Sequence, residues 1–167
     1  MKINCLIIML CLCAIPCIAI ANPLDAGTGV NTALVYIEWS DGFIIEFNVH
    51  FGNDANDTTT GLGLLDIIEA ESELTTIREY YSFGEFLNGI GYLEHSNVNP
   101  ADWSIWWNYW EKNASGNALW KLSMTGAGGR IVSNGDSDGW VFGRDGEPEP
   151  ESENPFIINI CSVVGFK

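Results

Sequence analysis

Two runs of alternating apolar and polar residues constrain the fold of this chain more than any other feature. In the first run, Val35, Ile37 and Trp39 fall on one face of an extended strand, and across residues 43–51 every other residue is apolar. A side-chain period of two indicates a half-buried β-strand. Residues 40–42, Ser-Asp-Gly, have turn-forming chemistry. The two runs therefore predict an antiparallel hairpin.

One short helix is predicted after this hairpin. Leu64, Leu65, Ile67 and Ile68 recur at helical spacing, and the threonines at 58–60 are candidate caps. Further short strands are predicted at residues 75–81, 86–90, 103–110, 119–124, 130–132 and 140–142. The predicted fold class is α+β, a single small domain of mostly antiparallel β-sheet with one short helix packed on it.

The N-terminal segment predicts export. One positive charge at Lys2 is followed by an apolar run over residues 3–20, and the Ala19-Ile20-Ala21 exit is spaced for cleavage before Asn22. A membrane anchor is the alternative, because the run approaches the ~20 residues that span a bilayer. Pro16 and the small-residue exit favour a signal peptide. We expect a secreted or cell-surface protein without a membrane span after cleavage.

The remaining chain divides into a domain and a tail. Residues 1–21 form the predicted signal peptide, and residues 22–143 the predicted domain. Residues 144–167 comprise an acidic, proline-containing linker and a short apolar C-terminal segment. Cys161 is the one cysteine left after cleavage, so the domain has no internal disulfide, and this thiol is predicted to be buried.

The charge of the chain excludes two classes of partner. The formal net charge is −15 at pH 7, and such a surface repels nucleic acids and anionic membranes. Seven Trp, eight Phe and five Tyr nevertheless supply too much apolar mass for a disordered chain. We expect a packed core beneath an acidic surface.

An aromatic run at residues 103–110 is the strongest candidate for a binding surface. On a strand, Trp106, Asn108 and Trp110 would share one face, and Ile105, Trp107 and Tyr109 the other. A sheet covered on one side leaves one row exposed for a flat apolar ligand such as a sugar or a tetrapyrrole, whereas a two-layer core would bury both rows. The predicted ligand-binding side chains are Trp106, Trp107, Tyr109, Trp110, Trp120 and Trp140.

Residues 134–139, Asn-Gly-Asp-Ser-Asp-Gly, match the first half of a calcium loop. Asn134, Asp136 and Asp138 place oxygen ligands at alternate positions, and Asp145 falls at the twelfth. The twelfth position usually carries a bidentate Glu, and a helix should follow where this chain predicts a strand. The alternatives are a calcium site and an Asx-rich hairpin turn, and these departures from the motif favour the turn.

Catalytic motifs are sparse, so we predict a protein that is not an enzyme. His50 and His95 lack the paired spacing of a metal site, and no nucleophile elbow or phosphate-binding glycine loop is present. Glu85 and Glu94 lie near the aromatic run and are the first suspects for a glycosidase pair, against the alternative of solvated surface acids.

Two glycosylation sequons lie in predicted loops. They begin at Asn56 and Asn113, and their use depends on the organism.

Several segments, taken in order, give the chain a family resemblance. They are the helix at 64–68, residues 86–90, the run Trp106-Trp107-Asn108-Tyr109-Trp110, Gly126-Ala127, Gly135-Asp136 and Gly139-Trp140. Together they resemble the transcobalamin-like C-terminal domain family over roughly residues 33–143.

The resemblance implies a small exported α+β domain that covers one face of a corrin ring. Trp106, Trp107, Tyr109 and Trp110 would match the aromatic strand of that family. In the vitamin B12 carriers a separate helical domain completes the cage. This chain has no such domain, so a second protein would have to complete an enclosed site.

Two functions follow as expectations. The first is a non-enzymatic module that binds a corrinoid, cobalamin-like small molecule on its aromatic face. The second is a surface or adhesion module that binds a glycan or a protein through the same tryptophans.

Overall fold

The computed structural model describes residues 23–82, 84–115, 119–143 and 148. These residues contain eleven strands and one helix. In chain order they are β1 (Leu24–Gly27), β2 (Asn31–Glu38), β3 (Ile44–Phe51), β4 (Thr59–Thr60), α1 (Gly61–Glu71), β5 (Leu74–Tyr81), β6 (Gly84–Tyr92), β7 (His95–Val98), β8 (Trp107–Lys112), β9 (Lys121–Leu122), β10 (Ile131–Val132) and β11 (Ser137–Phe142).

The hairpin predicted from the alternating runs is confirmed. Strands β2 and β3 pair antiparallel, with Val35 opposite Phe47 and Ile37 opposite Ile45. Gly42 lies in the connecting turn with φ of 82°, a conformation that favours glycine. The alternation therefore fixed both the pairing and the buried face of these two strands.

The largest sheet has six strands in the order β1-β3-β2-β11-β8-β9. Two of its pairs are parallel: β1 with β3, and β11 with β2. The second pair aligns Trp140 with Ile37 across about 100 residues of intervening chain. This crossover brings β11, the last strand among the described residues, into the centre of the sheet, beside β8.

Two smaller sheets complete the architecture. Strands β5, β6 and β7 form an antiparallel meander, with a register shift between Ile77 and Arg78. Strands β4 and β10 form a two-residue ladder next to the helix. The meander lies against β8, and this contact places its aromatic residues opposite the aromatic run.

Helix α1 begins and ends at side-chain caps. The hydroxyl of Thr60 accepts a hydrogen bond of 3.0 Å from the backbone N–H of Gly63, and the Ser72 hydroxyl donates to the carbonyl of Ile68 at the other end. The helix buries Leu64, Leu65 and other apolar residues, and it contacts β1, β3, β4 and β5. Its apolar stripe therefore covers the core.

Aromatic rings pack against one another in the core beside the large sheet. Trp39 contacts Trp107 edge to face, with ring centroids 5.9 Å apart, and Trp107 contacts Phe142 at 5.1 Å. Tyr109 and Trp140 pack with their centroids 4.4 Å apart. All five rings are buried. Such pairs contribute about 0.5–1.5 kcal/mol beyond their buried area.

The α+β class predicted from the sequence is wrong. The described residues are mostly β, in three separate sheets, and the 11-residue α1 is the one helix among them. The large sheet is also mixed, because two of its pairs are parallel. Parallel partners are distant in sequence, so local periodicity carries no signal for them.

Several predictions fall outside the described residues. These are the signal peptide at 1–21, nearly all of the tail at 144–167, and Cys161. Within the part of the chain that the structure describes, no helix combines the length and apolarity that a membrane span requires.

Candidate functional site

An open groove lies between the meander and the aromatic run. Its volume is about 630 Å³, and its walls include Tyr81, Phe86, Trp103, Trp106, Trp107 and Leu122. We call it the aromatic groove. Small-molecule sites usually have about 300–1,000 Å³ and mostly apolar walls. The aromatic groove has the size and the lining of such a site.

Two indoles at the groove are exposed. Trp103 and Trp106 each keep 44% of their surface accessible, although both are large apolar side chains. Trp106 donates a hydrogen bond from Nε1 to Oδ1 of Asn108 at 2.9 Å, which fixes its ring. Exposed aromatic surface next to a groove typically marks a binding site.

The backbone of Trp103 is strained. Its φ is 54°, a region that bulky residues rarely adopt. A turn holds it there: its N–H donates to the carbonyl of Pro100 at 3.0 Å, and the Asp102 carboxylate accepts from the N–H and hydroxyl of Ser104. These bonds lower the pKa of Asp102. Such strain costs about 1–3 kcal/mol and concentrates at functional sites.

The opposite wall comes from strands β5 and β6. Phe86 meets Trp103 edge to face at 5.4 Å, and Tyr81 meets Phe86 at 6.2 Å. The Tyr81 hydroxyl donates to the Glu79 carboxylate, and this hydrogen bond raises the pKa of Tyr81. The wall is therefore a row of contacting rings that ends at Tyr81, whose hydroxyl is held at the surface by Glu79.

A second cavity of about 550 Å³ adjoins the groove, and we call it the inner cavity. It shares Phe86, Trp107 and Tyr109 with the groove, and its lining also includes Asp66 and Glu85. The glycine-rich segment 125–129 forms one side. The combined space is apolar at the groove and acidic at the inner cavity.

At the acidic inner cavity, the guanidinium of Arg78 forms ion pairs with three carboxylates. Arg78 lies 2.7 Å from Asp66, 3.1 Å from Glu69 and 3.9 Å from Glu85, measured between nitrogen and oxygen atoms. The Glu69 carboxylate also accepts from the N–H of Thr76. The cluster keeps an excess of negative charge.

The six predicted ligand-binding residues separate into three groups. Trp106 is exposed and lines the groove. Trp107, Tyr109 and Trp140 are buried in the core, and the first two expose only a small part of their surface to the groove that they line. The described groove lining does not include Trp110 or Trp120, which are half-buried. The alternation separated the two rows of strand β8 but could not show how deeply each row is buried.

Sequence reasoning missed Trp103, Phe86 and Tyr81 as binding candidates. Trp103 belongs to the aromatic run, but it lies in the turn at residues 100–103, before strand β8 begins at Trp107. Phe86 and Tyr81 come from another sheet, and their meeting with the run depends on tertiary packing.

The predicted calcium ligands make internal contacts instead of converging on one point. Asp136 and Asp138 both pair with the guanidinium of Arg130, at 3.2 and 3.4 Å, and Asn134 accepts from the N–H of Thr32 at 2.8 Å. Glu111 approaches Arg130 at 3.3 Å. Among the residues described, no three His, Cys, Asp or Glu side chains are arranged to hold a metal.

Asp138 is the most deeply buried charge of this cluster, with none of its surface exposed. Burial raises the pKa of Asp138 to about 6, although Tyr109 and Arg130 oppose the shift. Burial and the nearby Asp138 raise the pKa of Tyr109. Burial disfavours the charge of Arg130, but the carboxylates of Asp138 and Asp136 outweigh it and raise its pKa.

The remaining candidates lie apart from the groove. His95 bonds Asp41 at 2.7 Å and stacks on Phe43, while His50 lies 3.4 Å from Asp25. Glu94 is exposed beside His95, whereas Glu85 belongs to the Arg78 cluster. The suspected glycosidase acids therefore belong to different charge clusters. The sequon asparagines Asn56 and Asn113 are exposed.

Known proteins similar to this chain do not indicate a ligand for the groove. No protein-family model and no curated protein matches the chain. A crystal structure of a candidate metal-binding protein from Ruminococcus gnavus is similar, with 17% sequence identity and a TM-score of 0.47, over 71% of this chain and 100% of that one. At that TM-score the likeness defines neither a common fold nor a common ligand.

Proposed function

We propose that this chain is an exported, non-enzymatic binding module that holds a small molecule with a flat apolar face in the aromatic groove. The exposed pair Trp103 and Trp106 carries the proposal. The strained backbone of Trp103 supports it, because glycine, which has no Cβ, would adopt this conformation without that cost.

The energetics favour a ligand that stacks. Covering apolar surface yields about 25 cal/mol per Å², and the groove presents several rings within reach of one ligand. Phe86 and Tyr81 form one wall, and Trp103 and Trp106 the rim. Because Phe86 already packs on Trp103, a planar molecule would stack on the exposed surfaces of Trp103 and Trp106.

The specific candidate is a corrinoid. The resemblance to the transcobalamin-like family supports this choice. The open shape of the groove also supports it, because an open surface can cover one face of a large ring. A corrinoid held on one side is only partly enclosed, so the proposal includes a second protein that covers its other face.

Isothermal titration of the full chain with cyanocobalamin tests this function. We expect binding in the micromolar range, and a loss of about tenfold or more in Trp103→Ala and in Trp106→Ala. Tyr80→Ala is the matched control, because Tyr80 is 82% exposed and lies outside the described lining of the groove. Binding that survives both tryptophan substitutions would rule out this site.

A glycan is the second candidate, and the carboxylate beside Trp103 favours it. Sugar rings combine an apolar face with hydroxyl groups, and Asp102, which precedes Trp103 in the chain, carries an exposed carboxylate that can accept hydrogen bonds. A glycan array probed with the labelled chain separates the candidates. Glycan binding that depends on Trp103, together with no response to cyanocobalamin, would favour an adhesion role.

A further inference from the structure

The charged side chains around the two cavities indicate the charge of the ligand, which the shape of the groove does not. Asp66 and Glu85 line the inner cavity, and no lysine, arginine or histidine lines either cavity among the residues described. Asp102 precedes Trp103 in the chain, and hydrogen bonds from Ser104 lower the pKa of its carboxyl. The charged groups that face a ligand are therefore all negative.

The rings add to this preference. The face of an indole carries partial negative charge and attracts cations within about 6 Å. Trp103 and Trp106 are exposed without a described cation over them, whereas Trp120, outside the described groove lining, has Lys112 over its ring at 5.6 Å. The two groove indoles are therefore available to a positive group on the ligand.

The acidic end is only partly neutralised. Arg78 is shared among Asp66, Glu69 and Glu85, and the Glu85 contact is the longest of the three at 3.9 Å. Glu85 also lines the inner cavity, with a quarter of its side chain exposed. A second positive charge near Glu85 would lower the electrostatic energy of this cluster.

We propose that the ligand of the aromatic groove is a small organic cation: a flat ring system that carries a positively charged nitrogen. The ring stacks on the exposed surfaces of Trp103 and Trp106, and the charge lies toward Glu85. This inference rests on the proposed function, since it describes the ligand of the same site, and it replaces the corrinoid with a small cation as that ligand. The net charge of −15 adds attraction at long range.

Three probes with one ring system test the charge. N-methylquinolinium is cationic, 2-methylquinoline is neutral at pH 8, and quinoline-2-carboxylate is anionic. Each is titrated into the full chain by calorimetry at low salt, with Trp fluorescence as a second readout. We expect the cation to bind about tenfold tighter than the neutral probe, and the anion most weakly. Added salt should weaken the cation alone.

Two carboxamide variants locate the charge. Glu85→Gln should reduce the affinity for N-methylquinolinium about fivefold and leave 2-methylquinoline unchanged. Glu94→Gln removes the same charge from an exposed position beside His95 and outside the described lining of both cavities, so it should change neither affinity. Trp103→Ala should weaken both probes, because it removes a ring that each of them stacks on.

The outcomes separate this inference from the proposed function. If the neutral probe binds as tightly as the cation, with both lost in Trp103→Ala, the groove binds flat molecules but the charge inference is wrong. An equal effect of Glu85→Gln and Glu94→Gln would also overturn it. If no probe binds, and cyanocobalamin and glycans fail too, the proposed function and the inference both fail.

Discussion

The hydroxyl of Tyr109 donates a 2.5 Å hydrogen bond to Oδ2 of Asp138, which joins strand β8 to strand β11 beneath the start of helix α1. Oδ1 of the same carboxylate faces the guanidinium of Arg130 at 3.4 Å. Tyr109 also lines the aromatic groove. The bond therefore links the floor of the candidate site to a buried charge cluster, and several predictions rest on it.

Arg130→Met should destabilise the protein by about 3–5 kcal/mol, because it leaves the buried carboxylates of Asp136 and Asp138 without a counter-charge. Urea unfolding followed by Trp fluorescence measures the change. Lys121→Met is the control, since Lys121 is exposed, and it should alter stability by less than about 0.5 kcal/mol. A similar small effect at Arg130 would contradict the role assigned to the cluster.

Asp138→Asn should remove a pH dependence of stability. Burial raises the pKa of Asp138 from 3.8 to about 6 in the folded state, so the folded protein binds a proton more tightly than the unfolded chain between these values. Its contribution is therefore fully present below pH 3.8 and declines as pH rises through 6. The advantage of the native protein over the variant should shrink by about 2–3 kcal/mol from pH 4 to pH 7.

Unfolding titrations at several pH values check this sign. Asp102→Asn is the control, because the pKa of Asp102 is lowered and its contribution is lost as pH falls. The two variants should thus diverge from the native protein in opposite directions. A native advantage over Asp138→Asn that grows with pH would refute the predicted shift.

Gly61→Ala should destabilise the protein by about 1–3 kcal/mol, although alanine favours a helix by about 1 kcal/mol. A Cβ at Gly61 would collide with the hydroxyl of Tyr109 and approach Oδ2 of Asp138 at 2.8 Å. At Gly128 the same change meets one methyl carbon of Leu62 at 3.5 Å, so Gly128→Ala should be nearly neutral.

A double-mutant cycle with Tyr109→Phe assigns the cause. Removing the hydroxyl takes away the atom nearest to the new Cβ, while Cζ of the ring and Oδ2 of Asp138 remain at 2.8 Å. Gly61→Ala should therefore cost less in that background but still destabilise the protein, measured again by urea unfolding. Equal costs in the two backgrounds would show that the hydroxyl is not the source of the clash.

Trp107→Ala and Trp103→Ala should differ sharply in stability. Trp107 is 4% exposed and packs on Trp39 and Phe142, so its loss should cost about 3–5 kcal/mol. Trp103 is 44% exposed, and its removal should cost about 1 kcal/mol or less. Thermal unfolding measures both, and a large loss at Trp103 would mean that this ring supports the fold.

Local patterns predicted local structure well. The hairpin of β2 and β3 follows from its alternation, and helix α1 covers the predicted residues 64–68, with Thr60 as its cap. They predicted the candidate site only in part: Trp106 lies at the groove, whereas Trp107 and Trp140 are core residues. The same alternation fits either face of a sheet, so it could not separate binding rings from packing rings.

The sequence by itself determined the hairpin of β2 and β3, the helix α1 and the strongly acidic charge, because propensity, period and charge are properties of neighbouring residues. It did not show the strands β1 and β7. Only the tertiary structure decided that β11 inserts beside β2, that Arg130 meets Asp136 and Asp138 in a buried cluster, and that Phe86 faces Trp103. These contacts depend on strand order, and strand order follows from how three sheets and one helix bury their apolar faces together.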